Sequence, residues 1–171
     1  MASKSLKPRK KLIKNGFVSF MFNMLGRAIR ACYRLDGRVK EEFDDFPDGT
    51  AIRMAVLPDG PSIVFRKEQD NIAVYRDYND VCDLDIRFKS IESVLMAVTA
   101  EKSVALCYAE QRFAVYGDLA YAAAFVRIMN IVEVYIYPRI WMTYLFNNNP
   151  PKRERSQFRF YLSTIFGKLG R

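Results

Sequence analysis

The spacing of apolar residues changes twice along this sequence, and any fold must satisfy both changes. From Ile13 the apolar positions run Ile13, Phe17, Phe20, Met21, Met24, Ala28, Ala31 and Leu35, the three-and-four spacing of one helix face. Gly37 is read as the stop of that helix. The acidic run Glu41 to Gly49 is read as a connector containing turn residues. From Ile52 the period drops to two. Ile52, Met54 and Val56 alternate with Arg53 and Ala55, Pro58-Asp59-Gly60 turns the chain, and Ile63 and Phe65 resume the alternation. After the turn at Gln69-Asp70-Asn71 come Ile72 and Val74, then Leu84, Ile86 and Phe88 set against Asp83, Asp85 and Arg87. Short linkers between these runs predict a four-strand antiparallel meander with one wet face. Asp83 and Asp85 are read as members of that solvated face.

The second change comes after Ser90, which can cap a helix carrying Ile91, Val94, Leu95 and Val98 on one face. Glu101-Lys102 interrupts it, and Ser103 is placed to cap a short helix ending near Ala109. Residues 112–116 return to strand alternation. Asp118 then caps a long helix bearing Leu119, Phe125, Val126, Ile128, Met129, Val132 and Ile136, limited by Pro138. Apolar residues surround most of its circumference, which predicts a helix largely buried, or buried against something that is not protein. Beyond it lie Trp141, Tyr144, Leu145 and Phe146, a break at Asn147 to Pro151, and a basic amphipathic segment. The expected class is α+β. Residues 1–40 form a basic amphipathic helix, 41–138 the domain proper, and 139–171 an apolar and then basic extension.

Charge follows the same division. The net +8 of the 171 residues separates into eleven basic and one acidic side chain in 1–40, ten and seventeen in 41–149, and six and one in 150–171. An acidic middle lies between two basic ends. Histidine is absent, which excludes Ser-His-Asp and Cys-His catalysis and histidine-ligated zinc. Cys32, Cys82 and Cys107 are widely spaced and read as small hydrophobes in a reducing compartment. Asp44, Asp45 and Asp48 lack the ligand spacing of a calcium loop, and no phosphate-loop, dinucleotide or nucleophile-elbow motif occurs. No metal, cofactor or catalytic residue is expected. Arg27 and Arg30 follow the apolar run near the start, with no small-residue cleavage site, and the candidate span 119–141 carries Arg127, Asn130, Glu133 and Arg139. The expectation is a cytoplasmic protein, peripheral at the inner face of a membrane if it meets one.

Residues 83–129, DLDIRFKSIESVLMAVTAEKSVALCYAEQRFAVYGDLAYAAAFVRIM, carry a resemblance. An alternating strand, a helix, a turn, a short apolar helix, a strand closing on Gly117-Asp118 and an apolar helix together resemble the sterol carrier protein type 2 fold family. The resemblance covers about residues 45–137. Arg112 stands where that family usually has Lys, Gln111 where Gly is common, and Glu101-Lys102 where Gly-Lys is usual. A bacterial branch of the family serving quinone biosynthesis is similar in length and layout, with an extra N-terminal helix and an apolar C-terminal segment.

The resemblance implies a five-stranded, mostly antiparallel sheet covered by helices on one side, with an apolar tunnel for a fatty acyl, sterol-like or isoprenoid lipid. It implies a carrier and not a catalyst. The candidate lining residues are Phe125, Met129, Val132 and Ile136 of the long helix, with Leu95, Val98 and Phe113 opposite. Basic side chains beside aromatic ones suit an anionic membrane surface, and the candidate contacts are Phe17, Phe20, Arg27, Arg30, Arg34, Lys152, Arg155 and Arg159. The runner-up is an interaction module with a filled core, working as a homodimer or within a biosynthetic complex. Nucleic-acid binding through the basic ends comes third, because the acidic middle would repel phosphates.

Overall fold

The structure, a computed structural model, describes residues 8–98, 101–102, 104–136 and 160–161. Two helices, α1 (Pro8–Leu35) and α2 (Gly37–Asp44), precede four strands: β1 (Ala51–Val56), β2 (Ser62–Glu68), β3 (Asn71–Tyr75) and β4 (Leu84–Phe88). Helices α3 (Ile91–Val98) and α4 (Val104–Ala109), strand β5 (Phe113–Gly117) and helix α5 (Leu119–Ile136) complete the series. The class is α+β, and the sheet is mostly antiparallel with one parallel pair. Its order is β3-β2-β1-β4-β5.

That order corrects the expected four-strand meander. Strands β1, β2 and β3 do form one, with Ile52 opposite Phe65 and Phe65 opposite Val74. The chain then crosses to the far side of β1, and β4 runs parallel to it, Met54 opposite Ile86. A parallel neighbour cannot be joined by a tight turn, and the β1-to-β4 link here contains a whole hairpin.

Helix α1 ends at Leu35, next to the expected stop at Gly37, but residue 37 also opens a second helix. Asp36 has extended backbone and its carboxylate accepts from the Arg38 N–H at 3.1 Å, so it caps α2, and the first half of the expected acidic connector is helical. Of the three expected caps, two lie among the described residues and are formed. Ser90 Oγ accepts from Ser93 N–H at 3.2 Å at the start of α3, and Asp118 accepts from Ala120 N–H at 2.7 Å at the start of α5. Ser103 lies outside the described residues, as do 139–159 and 162–171 of the expected C-terminal extension.

One face of the sheet carries Ile52, Met54, Phe65, Val74, Ile86 and Phe88 into a core shared with Val18, Phe22, Leu25 and Ile29 of α1 and with Phe125, Ile128 and Val132 of α5. The basic N-terminal helix is thus built into the core. It lies close on the sheet at Gly26, where a Cβ would stand 2.8 Å from the Val74 side chain and 3.1 Å from that of Ile63. Gly117 is fixed more rigidly still. Its φ is +117°, and a Cβ there would meet the Asp83 carbonyl oxygen at 2.0 Å, so the strand ending in Gly117-Asp118 admits only glycine at that point. Gln111 also has a positive φ, 52°. Glycine adopts that backbone freely, which explains why glycine is common there in the family the sequence resembles.

The opposite face of the sheet is not simply wet. Asp85, read as solvated, is buried between Arg53 and Arg87, with Arg53 Nε donating at 2.9 Å and Arg87 Nε at 2.7 Å. Burial alone would raise the Asp85 carboxyl, but hydrogen bonds and charge from the two arginines outweigh it and hold it below the usual carboxylate range. Asp83 is exposed at the strand end, where its carboxylate accepts from the Ala51 N–H at 2.8 Å. Long cross-strand neighbours, Arg53 and Tyr75, flank the buried Val64.

Helix α5 is not largely buried within the protein: only a third of it is. By length and composition it is apolar enough to cross a membrane. Here its buried face, Ala124, Phe125, Ile128, Val132 and Tyr135, belongs to the core, and Arg127 pairs with Glu42 of α2 at 2.6 Å. Leu119, Ala123 and Val126 of its first turns are exposed.

Candidate functional site

Between the sheet and the helices the core does not close. A cavity of about 90 Å³ remains, bordered by sixteen residues of which fifteen are apolar. Met21, Met24 and Leu25 of α1 form one side. Met54, Ile86, Phe88, Phe113 and Val115 form the sheet side. Ala97 and Val104 close the α3–α4 end, and α5 supplies Ala122, Phe125, Val126, Met129, Glu133 and Ile136. The wall is not sealed, since Val126 is 38% exposed.

Two properties of this wall bear on what it can hold. Four of the seven methionines in the sequence, Met21, Met24, Met54 and Met129, border it. Their unbranched side chains repack around varied shapes at small cost. A cavity near 150 Å³ with an apolar lining stays dry and takes up benzene, so this smaller one would hold part of an apolar chain and open further by moving methionines.

The second property is Glu133, the only ionisable residue among the described residues of the lining. Burial in this apolar environment pushes its carboxyl up to about 7, and no neighbouring charge contributes. No hydrogen bond or ion pair to its carboxyl is made by the described residues. The thiols nearby do no comparable work. Cys32 and Cys107 are buried and reduced, and burial pushes both thiols up, away from the reactive thiolate.

Of the residues expected to line a tunnel, the structure brings Phe113, Phe125, Met129 and Ile136 to this one cavity. Leu95 packs against the core without bordering it, and Val132 is fully buried in the core. Both lie on faces of α3 and α5 turned toward other side chains; among the described side chains of α3, Ala97 reaches the space. The Val98 side chain is outside the described set. Sequence reasoning missed Glu133 and the whole α1 contribution. A lone acid in an apolar helix was a visible signal for the first. Met21 and Met24 at helical spacing gave a weaker one.

The expected surface contacts separate similarly. Phe17, Phe20 and Arg34 are exposed, joined by exposed Leu12 and Ile13, while Arg27 and Arg30 are half-buried. Lys152, Arg155 and Arg159 lie outside the described residues. Phe17 and Phe20 each stand four residues before a cavity methionine, Met21 and Met24, so they adjoin it along the helix. The exposed apolar stripe of α1 thus runs into the cavity wall.

Several other described polar groups hold helices together. Asp36, at the α1–α2 junction, is buried; it pairs with Arg38 at 2.7 Å and accepts from the Tyr135 hydroxyl of α5 at 2.8 Å. Tyr135 in turn packs on Phe160, ring centroids 5.2 Å apart. Lys14 of α1 pairs with Glu92 of α3 at 2.8 Å.

A five-stranded sheet in this order, with helices enclosing an apolar space and a strand closing on Gly-Asp, has the sterol carrier protein 2 fold. Among solved structures the chain is similar to sterol carrier protein 2 from Yarrowia lipolytica in its apo form, at 15% identity and a TM-score of 0.50, covering 67% of this chain and 91% of that one. It also matches a UbiJ-SCP2 ubiquinone synthesis protein at 16% identity and a TM-score of 0.47, covering 74% of this chain and 100% of that one. A sterol carrier protein 2 like 2 from Aedes aegypti matches at 11% identity and a TM-score of 0.39, over 54% and 93% of the two chains. No family model matches the sequence, and no curated protein matches it.

Proposed function

We propose that this protein binds an apolar lipid non-covalently in the cavity between sheet, α1 and α5, and exchanges or presents it at an anionic membrane surface. The observation that carries the reading is the cavity wall: fifteen apolar residues, four of them methionine, around an incompletely closed space. The ligand class is a fatty acyl, sterol-like or isoprenoid chain. Its binding would draw on apolar burial, about 0.8 kcal/mol for each methylene removed from water.

The surface of α1 supports the second half of the reading. Exposed Leu12, Ile13, Phe17 and Phe20 offer an apolar face, and basic residues dominate the first forty positions. A near-surface basic side chain contributes about 1 kcal/mol toward an anionic bilayer. Because that face adjoins Met21 and Met24, a helix lying on lipid would bring the cavity wall to the bilayer. Binding is the reading proposed because the described residues of the wall are apolar apart from one carboxyl, a lining suited to holding an apolar chain.

Transfer of a fluorescent acyl lipid between anionic vesicles tests both halves. Ala122→Phe, which fills the cavity from a half-buried position on α5, is expected to abolish most of the transfer. Phe17→Ser combined with Phe20→Ser is expected to slow transfer while leaving uptake of soluble 1-octanol intact. Transfer unaffected by Ala122→Phe would show that the lipid travels elsewhere.

A further inference from the structure

Among the described residues, Glu133 interrupts a wall that is otherwise without polar side chains. The fifteen other residues bordering the cavity carry no group that ionises and no hydrogen-bond donor in their side chains. No neighbouring charge acts on it, and two basic residues of the helices around the cavity are paired with other acids. Arg127, on the same helix, pairs with Glu42, and Lys14 of α1 pairs with Glu92. With no partner for its carboxyl among the described residues, Glu133 faces the space a ligand would fill.

We infer that Glu133 reads the polar end of the ligand, so that the cavity accepts an amphiphile ending in a neutral hydroxyl and rejects one ending in a carboxylate. This rests on the cavity binding a lipid, as proposed above. A hydroxyl brings one O–H donor to a carboxylate oxygen and adds no second charge to the apolar space. An ammonium would pair with the ionised form but bring three donors to one carboxylate, leaving a donor desolvated. A carboxylate would place two like charges together, and one would have to take up a proton. Burial pushes the Glu133 carboxyl up to about 7, so both of its forms are populated near neutrality. A hydroxyl suits either, donating to the ionised form and accepting from the neutral one.

Calorimetric titration with 1-octanol and with octanoate, at about pH 8 where both carboxyl groups are mostly ionised, tests this in the full chain. The wild type is expected to bind octanol at least about tenfold more tightly than octanoate. Glu133→Leu should weaken octanol about tenfold through loss of the hydrogen bond. Glu133→Gln keeps an acceptor and adds an N–H donor, so it should hold octanol and shift the ratio toward octanoate by about tenfold or more. Circular dichroism confirms that each variant is folded. Octanol affinity unchanged by Glu133→Leu, or a ratio unchanged by Glu133→Gln, would overturn the role of Glu133 and leave the cavity reading standing. A wild type that binds neither ligand would overturn the cavity reading and this inference with it.

Discussion

Glu133→Gln is expected to stabilise the protein by about 3 kcal/mol near pH 8. The folded chain holds the Glu133 carboxyl at about 7 against an ordinary 4.5, and burial is the whole cause. As pH rises from about 4.5 to about 7, the unfolded chain has already released a proton that the folded chain still binds. Stability therefore falls through that window and levels off above it, where an ionised carboxylate must be kept in an apolar wall. The amide removes this contribution, so the variant should match the wild type near pH 4 and exceed it progressively up to about pH 7. Urea unfolding at a series of pH values measures the effect. Equal pH slopes in the two proteins would mean that Glu133 is well solvated, and would weaken the case that it meets the ligand. A carboxyl that costs stability where an apolar side chain would fit is a candidate for function.

The second large effect is expected at Asp36. This buried carboxylate joins three helices: it caps α2, pairs with Arg38 and accepts from Tyr135 of α5. Burial alone would raise its carboxyl, but hydrogen bonds from Arg38 and Tyr135 and the Arg38 charge outweigh that and hold it below the usual range. Asp36→Ala removes a cap worth about 1 kcal/mol and the hydrogen bond that the Tyr135 hydroxyl donates to the carboxylate, about 1.5–3 kcal/mol for a bond to a charged group. A loss of about 2.5–4 kcal/mol in unfolding free energy is therefore expected. Asp36→Asn keeps the cap and an acceptor and should lose less. Because its folded carboxyl is depressed, the contribution of Asp36 is present above the ordinary carboxylate range and is lost as pH falls through the folded value. An alanine variant as stable as the wild type would show that the junction is held by apolar packing alone.

How far the sequence revealed this fold depended on whether a signal was local. Alternation at Leu84-Asp85-Ile86-Arg87-Phe88 and the caps at Ser90 and Asp118 are local, and the strands and helices they define stand where they were read. The partner of β4 is not a local property. Nothing within residues 84–88 distinguishes pairing with β3 from crossing to β1. The same limit hid the burial of Asp85, which depends on Arg53 arriving from the strand alongside. The stop near Gly37 is local and α1 ends at Leu35, but the helix that starts at Gly37 depends on Asp36 capping it, and an acidic run with turn residues does not announce that helix.

The site divides along the same line. Phe113, Phe125, Met129 and Ile136 could be singled out from helix and strand faces together with a resemblance to a fold that encloses lipid. Val132 and Leu95 could not be separated from them, because one helix position more or less decides between core and cavity. Met21, Met24 and Leu25 required knowing that α1 lies on the sheet, a packing fact invisible at residues 13–35. Glu133 was visible as an acid in an apolar helix, but whether it faced water, an arginine or an empty space depended on everything packed around it.

The most direct measurement on the central claim is native mass spectrometry of the full chain purified without detergent. The account expects a population carrying one apolar lipid, displaced by excess 1-octanol and missing from Ala122→Phe. A protein that emerges ligand-free, and that then takes up neither acyl chains nor prenols when they are added, would contradict it.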